Sequence, residues 1–113
     1  MDASTEVIAD KQHILELQNR YSYSIDSGQY DHLDAMFTPD ATYNFVTGST
    51  DNIDALKKTI QDALQPLTSS QHINGNQWAE IAGERATAGC YFTVHMYKEG
   101  LIDGEHFEMG GRY

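Results

Sequence analysis

Residues 25–41 read IDSGQYDHLDAMFTPDA, and this stretch marks the place where the chain changes from helix to strand. The pair Ser27-Gly28 is typical of the residues that follow the last turn of an α-helix. A short second helix is predicted next, because its apolar residues fall on one side: Tyr30, Leu33, Met36 and Phe37. Pro39 then ends that helix, since proline lacks the N–H that a helix interior requires. The stretch therefore predicts two helices that meet at a glycine turn.

Helices are predicted on both sides of a short strand in the first half of the chain. Upstream of the glycine turn, a long helix covers roughly residues 5–26, where one apolar stripe repeats at three- and four-residue steps: Ile14, Leu17, Tyr21 and Ile25. Downstream, ATYNFV at residues 41–46 is typical of a strand. A third helix follows the capping oxygens of residues 50–52 and carries a second stripe: Ile53, Leu56, Ile60 and Leu64. The first half thus supplies three helices.

The second half is typical of antiparallel strands. Residues 71–82, 85–98 and 101–113 are rich in aromatic and β-branched residues and are separated by glycine-containing turns. Both alternating faces of the middle strand carry large side chains, so both faces should be covered. We expect the helices on one face and a second subunit of a homo-oligomer on the other, in contact with four residues: Cys90, Phe92, Val94 and Met96. The predicted fold class is α+β, in a single domain over residues 1–113.

The last predicted strand ends in GGRY at residues 110–113. A sheet that stopped there would leave an unprotected edge. We therefore expect the natural chain to continue beyond Tyr113 with further strand, so that the domain is incomplete at its C-terminus.

Composition and charge argue against several classes of function. The chain has 17 acidic residues against 7 lysines and arginines, a formal net charge of −10, and its basic residues form no stripe. Binding to nucleic acid or to an anionic membrane surface is therefore disfavoured. The single cysteine allows no internal disulfide, and the first ten residues lack the basic and apolar regions of a signal peptide. These features predict a cytoplasmic protein.

Two histidines in predicted strands are candidate partners of an aspartate at the end of the first helix. Asp26 lies where the helix dipole disfavours a negative charge, so it is either a solvated carboxylate or one that a protonatable partner stabilises. His72 and His95 can provide that partner, because imidazole changes its charge near neutral pH and can accept a proton. The three residues could also form a metal site, but they are not at the close spacing typical of metal ligands.

The order of these segments resembles the SnoaL-like group of the nuclear transport factor 2-like superfamily. The resemblance covers essentially the whole chain, and its most specific parts are residues 25–41 and the SQH of residues 70–72. It implies three helices packed on a curved antiparallel sheet, in a cone-shaped fold with an internal cavity. It also implies a dimer formed through the outer face of the sheet.

Within the superfamily the chain is most similar to lyases that remove a proton: scytalone dehydratase, bile-acid 7α-dehydratase and hexachlorocyclohexane dehydrochlorinase. Their shared pattern, an aspartate just before the turn and a histidine that opens a strand, falls on Asp26 and His72. The resemblance implies that His72 is a general base held by Asp26, and that Tyr21 and His95 are further catalytic residues. Three aromatic residues are expected to line the substrate pocket: Tyr43, Trp78 and Tyr91. One departure is Ile25, which stands where scytalone dehydratase has a tyrosine.

Three functions remain as alternatives. The first is a cofactor-independent lyase of dehydratase or dehydrohalogenase type, or an isomerase, that removes a proton from a small hydrophobic cyclic substrate. The second is a non-catalytic protein that binds a small hydrophobic ligand. The third is a polyketide cyclase or an epoxide hydrolase on the same fold. The presence of both Asp26 and His72 favours the first over the second, and neither a metal nor a cofactor is expected.

Overall fold

The computed structural model describes residues 3–45, 48–98 and 106–112. Helix α1 spans Ala3–Asp26, helix α2 spans Ile53–Leu64, and a 3₁₀ helix spans Tyr30–Ala35 between them. The strands are β1 Tyr43–Phe45, β2 Gly48–Thr50, β3 Ser69–Ala82, β4 Arg85–Tyr97 and β5 His106–Arg112. Helices followed by a long antiparallel sheet confirm the predicted α+β class. The extension predicted beyond Tyr113 lies outside the described residues.

The glycine turn that ends α1 forms as the sequence predicts. Gly28 has a φ of +72°, a left-handed conformation that glycine adopts without a steric penalty. The Gln29 N–H donates to the Ser24 carbonyl at 2.9 Å and the Gly28 N–H to the Ile25 carbonyl at 3.2 Å. This pair of bonds is the Schellman motif, which closes a helix C-terminus. Asp26 is therefore fixed in the last turn of α1.

The strands form two separate antiparallel sheets. β3, β4 and β5 form a three-stranded sheet with β4 in the centre, and β1 pairs with β2 in a short ribbon. The sequence predicts a strand over residues 41–46 but gives no indication of β2, because its three residues, GST, show no apolar alternation. The second predicted helix also differs, since it is a 3₁₀ helix of six residues.

The register between β3 and β4 decides which side chains face α1. His72 pairs with Val94 and Asn74 with Phe92, and paired residues share one face of a sheet. Because His72 and Asn74 both bond to α1, the face that they share with Val94 and Phe92 is the one that faces the helix. The predicted subunit contact through Cys90, Phe92, Val94 and Met96 is therefore wrong. Cys90 and Val94 are already 3% and 5% exposed within the chain.

A β-bulge divides β3. The register with β4 shifts between Gly75 and Trp78, and Asn76 adopts a φ of +50° there. One extra residue in a strand reverses the faces of the residues that follow it. Gln77 consequently faces α1, where its side-chain amide donates to the Leu15 carbonyl at 3.3 Å. Trp78 lies on the opposite face and is 46% exposed.

Two leucines form the most deeply buried part of the described core. Leu33 of the 3₁₀ helix is 0% exposed and Leu56 of α2 is 1% exposed. Helix α2 begins at the predicted cap, because the Asn52 side chain accepts a hydrogen bond from the Ala55 N–H at 3.1 Å. The stripe predicted on α1 is only partly correct, since Leu17 is 43% exposed. Neither helix α1 nor α2 is both long and apolar enough to cross a bilayer.

Candidate active site

The carboxylate of Asp26 and the imidazole of His72 form the centre of the candidate site. Asp26 Oδ1 lies 2.7 Å from His72 Nδ1, which confirms the contact that the sequence predicts between these two residues. Asp26 Oδ2 accepts a second bond, from the backbone N–H of His72 at 2.6 Å. Both carboxylate oxygens are thus bonded to one residue, which fixes the plane of the carboxylate relative to the imidazole. We refer to Asp26 and His72 below as the dyad.

Donors from β3 offset the unfavourable position of Asp26. A negative charge in the last turn of a helix is destabilised by the helix dipole. Here the carboxylate meets the two His72 donors and also Ser70, whose hydroxyl donates to Oδ1 at 2.8 Å. Hydrogen bonds to a charged acceptor are stronger than neutral ones. The arrangement thus stabilises the charged carboxylate at a place where the helix alone does not.

One imidazole nitrogen of His72, Nε2, is not bonded to Asp26 and can take part in a reaction. An ionised carboxylate only accepts hydrogen bonds, so Nδ1 carries the proton that lies between the two groups. In the neutral imidazole the lone pair is then on Nε2, for which no hydrogen-bond partner is found among the described residues. The side chains of His72 and Asp26 are only 10% and 18% exposed. This arrangement is suited to general-base catalysis, because one nitrogen is held and the other can accept a proton.

Side-chain amides from β3 hold α1 in register beside the dyad. Asn74 donates to the Gln18 carbonyl at 3.2 Å and to the Ser22 hydroxyl at 3.1 Å. Ser22 is 3% exposed, so the face of α1 that meets β3 is polar near the dyad. Gln77 bonds to the same helix further from Asp26. Because these bonds fix the position of the helix along the strand, they help to place Asp26 beneath His72.

Predicted site residues line two separate open spaces beside α1. Asp26 and His72 line a groove of about 560 Å³, together with Ser70, Asn74 and other residues of β3. Tyr21 and Tyr43 line a separate, more apolar recess of about 280 Å³. The groove and the recess share no lining residue. The groove has the size of a site for a small molecule.

Tyr21 occupies an aromatic cluster. The ring of Phe37 meets Tyr21 edge-on, at 6.2 Å between centroids, and meets Tyr43 edge-on at 5.0 Å. Such edge-to-face pairs are favourable because the positive ring edge meets the negative face. Burial raises the pKa of the Tyr21 phenol above its ordinary value of 10.0. The phenol is therefore protonated at neutral pH and can donate a hydrogen bond.

The raised pKa of Tyr21 predicts a dependence of stability on alkaline pH. A phenol that holds its proton more tightly in the folded state contributes stability that is complete below pH 10 and is lost as the pH rises through the folded-state pKa. We expect the free energy of unfolding of Tyr21→Phe to fall less steeply above about pH 10 than that of the unmodified protein. Urea titrations between about pH 8 and 11 measure this. Parallel curves for the two proteins would contradict the prediction.

Three other predicted site residues lie away from the dyad. His95 pairs with Gln71, which is next to His72 in β3. Adjacent residues of a strand point to opposite faces, so the His95 side chain lies on the face opposite to that of His72. Tyr91 and Trp78 are on that opposite face too, and are 58% and 46% exposed. The structure thus corrects the expectation that these three residues line the pocket with His72. Among the described residues no three histidine, cysteine, aspartate or glutamate side chains lie close enough to hold one metal ion.

Sequence reasoning missed the residues that support the dyad. Ser70 stands two positions before His72, and residues at i and i+2 share one face of a strand, so this spacing predicts a hydroxyl beside the imidazole. Ser22 stands four positions before Asp26 and so lies on the same side of the helix. Both residues are inconspicuous in a search for apolar stripes, because serine is neither apolar nor charged.

The comparison with known families agrees with this fold. The profile of the SnoaL-like domain family matches residues 6–113. The chain belongs to this family. Among curated relatives, uncharacterised proteins of Mycobacterium tuberculosis and Mycobacterium bovis are 30% identical over 87 residues, which are 75% of this chain and 59% of each relative. The chain thus spans less than two thirds of the length of these relatives.

Solved structures show the same architecture. A Kribbella flavida protein superposes with a TM-score of 0.78 at 20% identity, over 99% of this chain and 79% of its own. A candidate scytalone dehydratase from Novosphingobium aromaticivorans gives 0.79 at 19%, over 99% and 74%. A nuclear transport factor 2-like protein from Salmonella enterica gives 0.75 at 18%, over 89% and 73%. These similarities establish the nuclear transport factor 2-like fold for this SnoaL-like chain.

Proposed function

We propose that this protein is a cofactor-independent lyase or isomerase in which His72 removes a proton from carbon. The observation that carries the proposal is the 2.7 Å contact between Asp26 Oδ1 and His72 Nδ1. A carboxylate on one imidazole nitrogen orients the ring and stabilises the imidazolium that forms when the other nitrogen accepts a proton. The described residues place no serine or cysteine nucleophile against Nε2, so the arrangement favours proton abstraction over acyl transfer.

The proposed substrate is a small cyclic molecule that carries an acidic C–H bond beside a carbonyl group. In the lyase reaction, Nε2 of His72 takes the proton and the electron pair of the C–H bond forms a carbon–carbon double bond. The bond to a leaving hydroxyl breaks at the neighbouring carbon, and the imidazolium returns the proton so that water departs. Asp26 remains ionised throughout and stabilises the positive charge on the ring.

We propose no part for Tyr21 in the reaction, because the recess that Tyr21 lines and the groove that the dyad lines share no residue. Its phenol stays protonated because burial raises its pKa, and the recess that it shares with Tyr43 is apolar and aromatic. No substrate contact is proposed for Trp78, Tyr91 or His95 either, since the sheet separates them from the dyad.

An elimination assay tests the proposal. A panel of cyclic β-hydroxy ketones is incubated with the protein, and formation of the conjugated enone is followed by its ultraviolet absorbance. We expect at least one member of the panel to react with the unmodified protein and not with His72→Ala. If the folded protein binds members of the panel but converts none faster than buffer does, the non-catalytic binding alternative is preferred.

We propose further that the protein forms a homodimer through the face of the sheet turned away from α1. Register and exposure place three large side chains on this outer face of the sheet, each more than two fifths exposed: Ile73, Trp78 and Tyr91. Aromatic residues that are exposed together on one face are typical of an interface. A subunit contact through the sheet is therefore still proposed, but on the face opposite to the one that the sequence predicts.

A pair of matched tyrosine variants tests the dimer. Tyr91 is 58% exposed on the outer face, and Tyr23 is 70% exposed on α1. We expect Tyr91→Asp to weaken association at least about tenfold, because an aromatic anchor is lost and a charge is buried. Tyr23→Asp changes the net charge equally and should sediment as the unmodified protein does. Sedimentation velocity at micromolar concentration measures both, and an unmodified protein that is monomeric would refute the proposal.

A further inference from the structure

We infer that Ser70 is a positioning residue of the dyad, which holds the Asp26 carboxylate so that His72 keeps its proton on Nδ1. The inference rests on the proposed function, because positioning is useful only if Nε2 accepts a proton. Its basis is that the Ser70 hydroxyl and His72 Nδ1 share one acceptor, Asp26 Oδ1, at 2.8 and 2.7 Å. Neither the family resemblance nor the search for titratable residues assigns Ser70 a role.

The geometry explains why a third donor matters. Oδ2 is held by a backbone N–H, which cannot move independently of the strand. Oδ1 is held by the imidazole, whose ring can rotate about its side-chain bonds, and by Ser70. Without Ser70 the only partner of Oδ1 among the described residues is the imidazole that it must orient. The Ser70 hydroxyl therefore fixes Oδ1 independently of the ring, which is the preorganisation that a dyad requires.

Solvent access makes this support necessary. The Asp26 side chain is 18% exposed and lies along the open groove, so water can compete for Oδ1. A protein hydroxyl fixed at 2.8 Å occupies one of the acceptor positions of that oxygen. Ser70 can donate to Asp26 only because it lies on the same face of β3 as His72, two residues away. Ser69 is its neighbour on the opposite face, and so supplies a matched control.

Nuclear magnetic resonance of ring-¹⁵N-labelled histidine tests the inference without a substrate. The two ring nitrogens report the tautomer, and the Nδ1–H proton reports exchange with water. His72→Gln identifies the His72 signals. In the unmodified protein we expect the Nδ1–H tautomer with a slowly exchanging proton. In Ser70→Ala we expect exchange that is about tenfold faster, the effect of losing one hydrogen bond to a charged group, together with a mixture of tautomers. Ser69→Ala should match the unmodified protein.

An isosteric pair separates the hydroxyl from the fold. Threonine keeps the hydroxyl and valine replaces it with a methyl group of the same shape, and both residues are favourable in strands. We expect Ser70→Thr to restore slow exchange and Ser70→Val to behave as Ser70→Ala. This pair decides the question even if Ser70→Ala does not fold. Equal exchange in the Thr and Val variants, or slow exchange in folded Ser70→Ala, would overturn the inference.

The outcome also distinguishes this inference from the proposed function. If the unmodified protein shows the Nδ1–H tautomer and Ser70→Ala leaves it unchanged, Ser70 has no positioning role while the dyad remains. If His72 in the unmodified protein carries its proton on Nε2, the dyad cannot act as proposed, and both are overturned. A third outcome is that Ser70→Ala loses the Nδ1–H tautomer while neither the unmodified protein nor any variant shows elimination activity. Ser70 then positions the dyad, but the dyad catalyses a reaction other than the proposed one.

Discussion

Replacing His72 with alanine should lower the elimination rate by about 10²–10⁴-fold, the usual effect of removing a general base. The structure gives the reason, since His72 is the imidazole that Asp26 orients, at 2.7 Å. The measurement is kcat/KM for any cyclic hydroxy ketone of the panel that is found to react, with circular dichroism as a control for folding. His13→Ala is the matched variant, because His13 lies on the exposed surface of α1 and should leave the rate unchanged.

Asp26→Asn should have an effect comparable to that of His72→Ala. The amide keeps the size of the carboxylate but carries no negative charge, and its N–H₂ group can turn towards His72 and favour the wrong tautomer. Because the two residues act as a unit, the double variant should be little slower than either single variant. Additive losses, in which the double variant shows the product of both reductions, would indicate that the residues act independently and would contradict the dyad.

Leu33→Ala should give the largest loss of stability, about 2–5 kcal/mol in the free energy of unfolding. Leu33 is 0% exposed, so removal of its side chain leaves a cavity between the 3₁₀ helix and its neighbours. Such a loss is a large part of the total stability of a small domain. Urea unfolding followed by circular dichroism measures it.

Leu17→Ala is the matched control for the core prediction. It removes the same atoms from a leucine that is 43% exposed on α1, so the expected loss is much smaller. If both variants lose the same free energy, the 3₁₀ helix does not carry the core as described. A loss at Leu33 that is accompanied by a changed m value would instead point to a change in the unfolded state.

The boundaries of the helices could be predicted because local chemistry determines them. Glycine is favoured at position 28, where φ is +72°, and the Asn52 side-chain oxygen accepts the Ala55 N–H in the first turn of α2. These signals act over a few residues and do not depend on the rest of the fold. The contact between Asp26 and His72, 46 positions apart, is different. It was predicted from the resemblance to a family and not from the spacing of the residues.

The faces of the sheet could not be predicted in the same way. Both alternating sets of β4 include large side chains, so the pattern of β4 alone does not indicate which set meets α1. The polar residues of the neighbouring strand decide it, because Ser70, His72 and Asn74 bond to the helix. A bulge of one residue at Asn76 then places Trp78 on the outer face. Neither the register nor the bulge has a strong local signal in the sequence.

Exchange of substrate hydrogen for solvent deuterium tests the central claim, that His72 removes a proton from carbon, most directly. A cyclic ketone that lacks a leaving group is incubated with the protein in deuterium oxide, and loss of the α-proton signal is followed by nuclear magnetic resonance. We predict that the unmodified protein accelerates this exchange. The exchange rate should fall by about 10²-fold or more in His72→Ala and in Asp26→Asn. Exchange at the unmodified rate in folded His72→Ala protein would contradict the account.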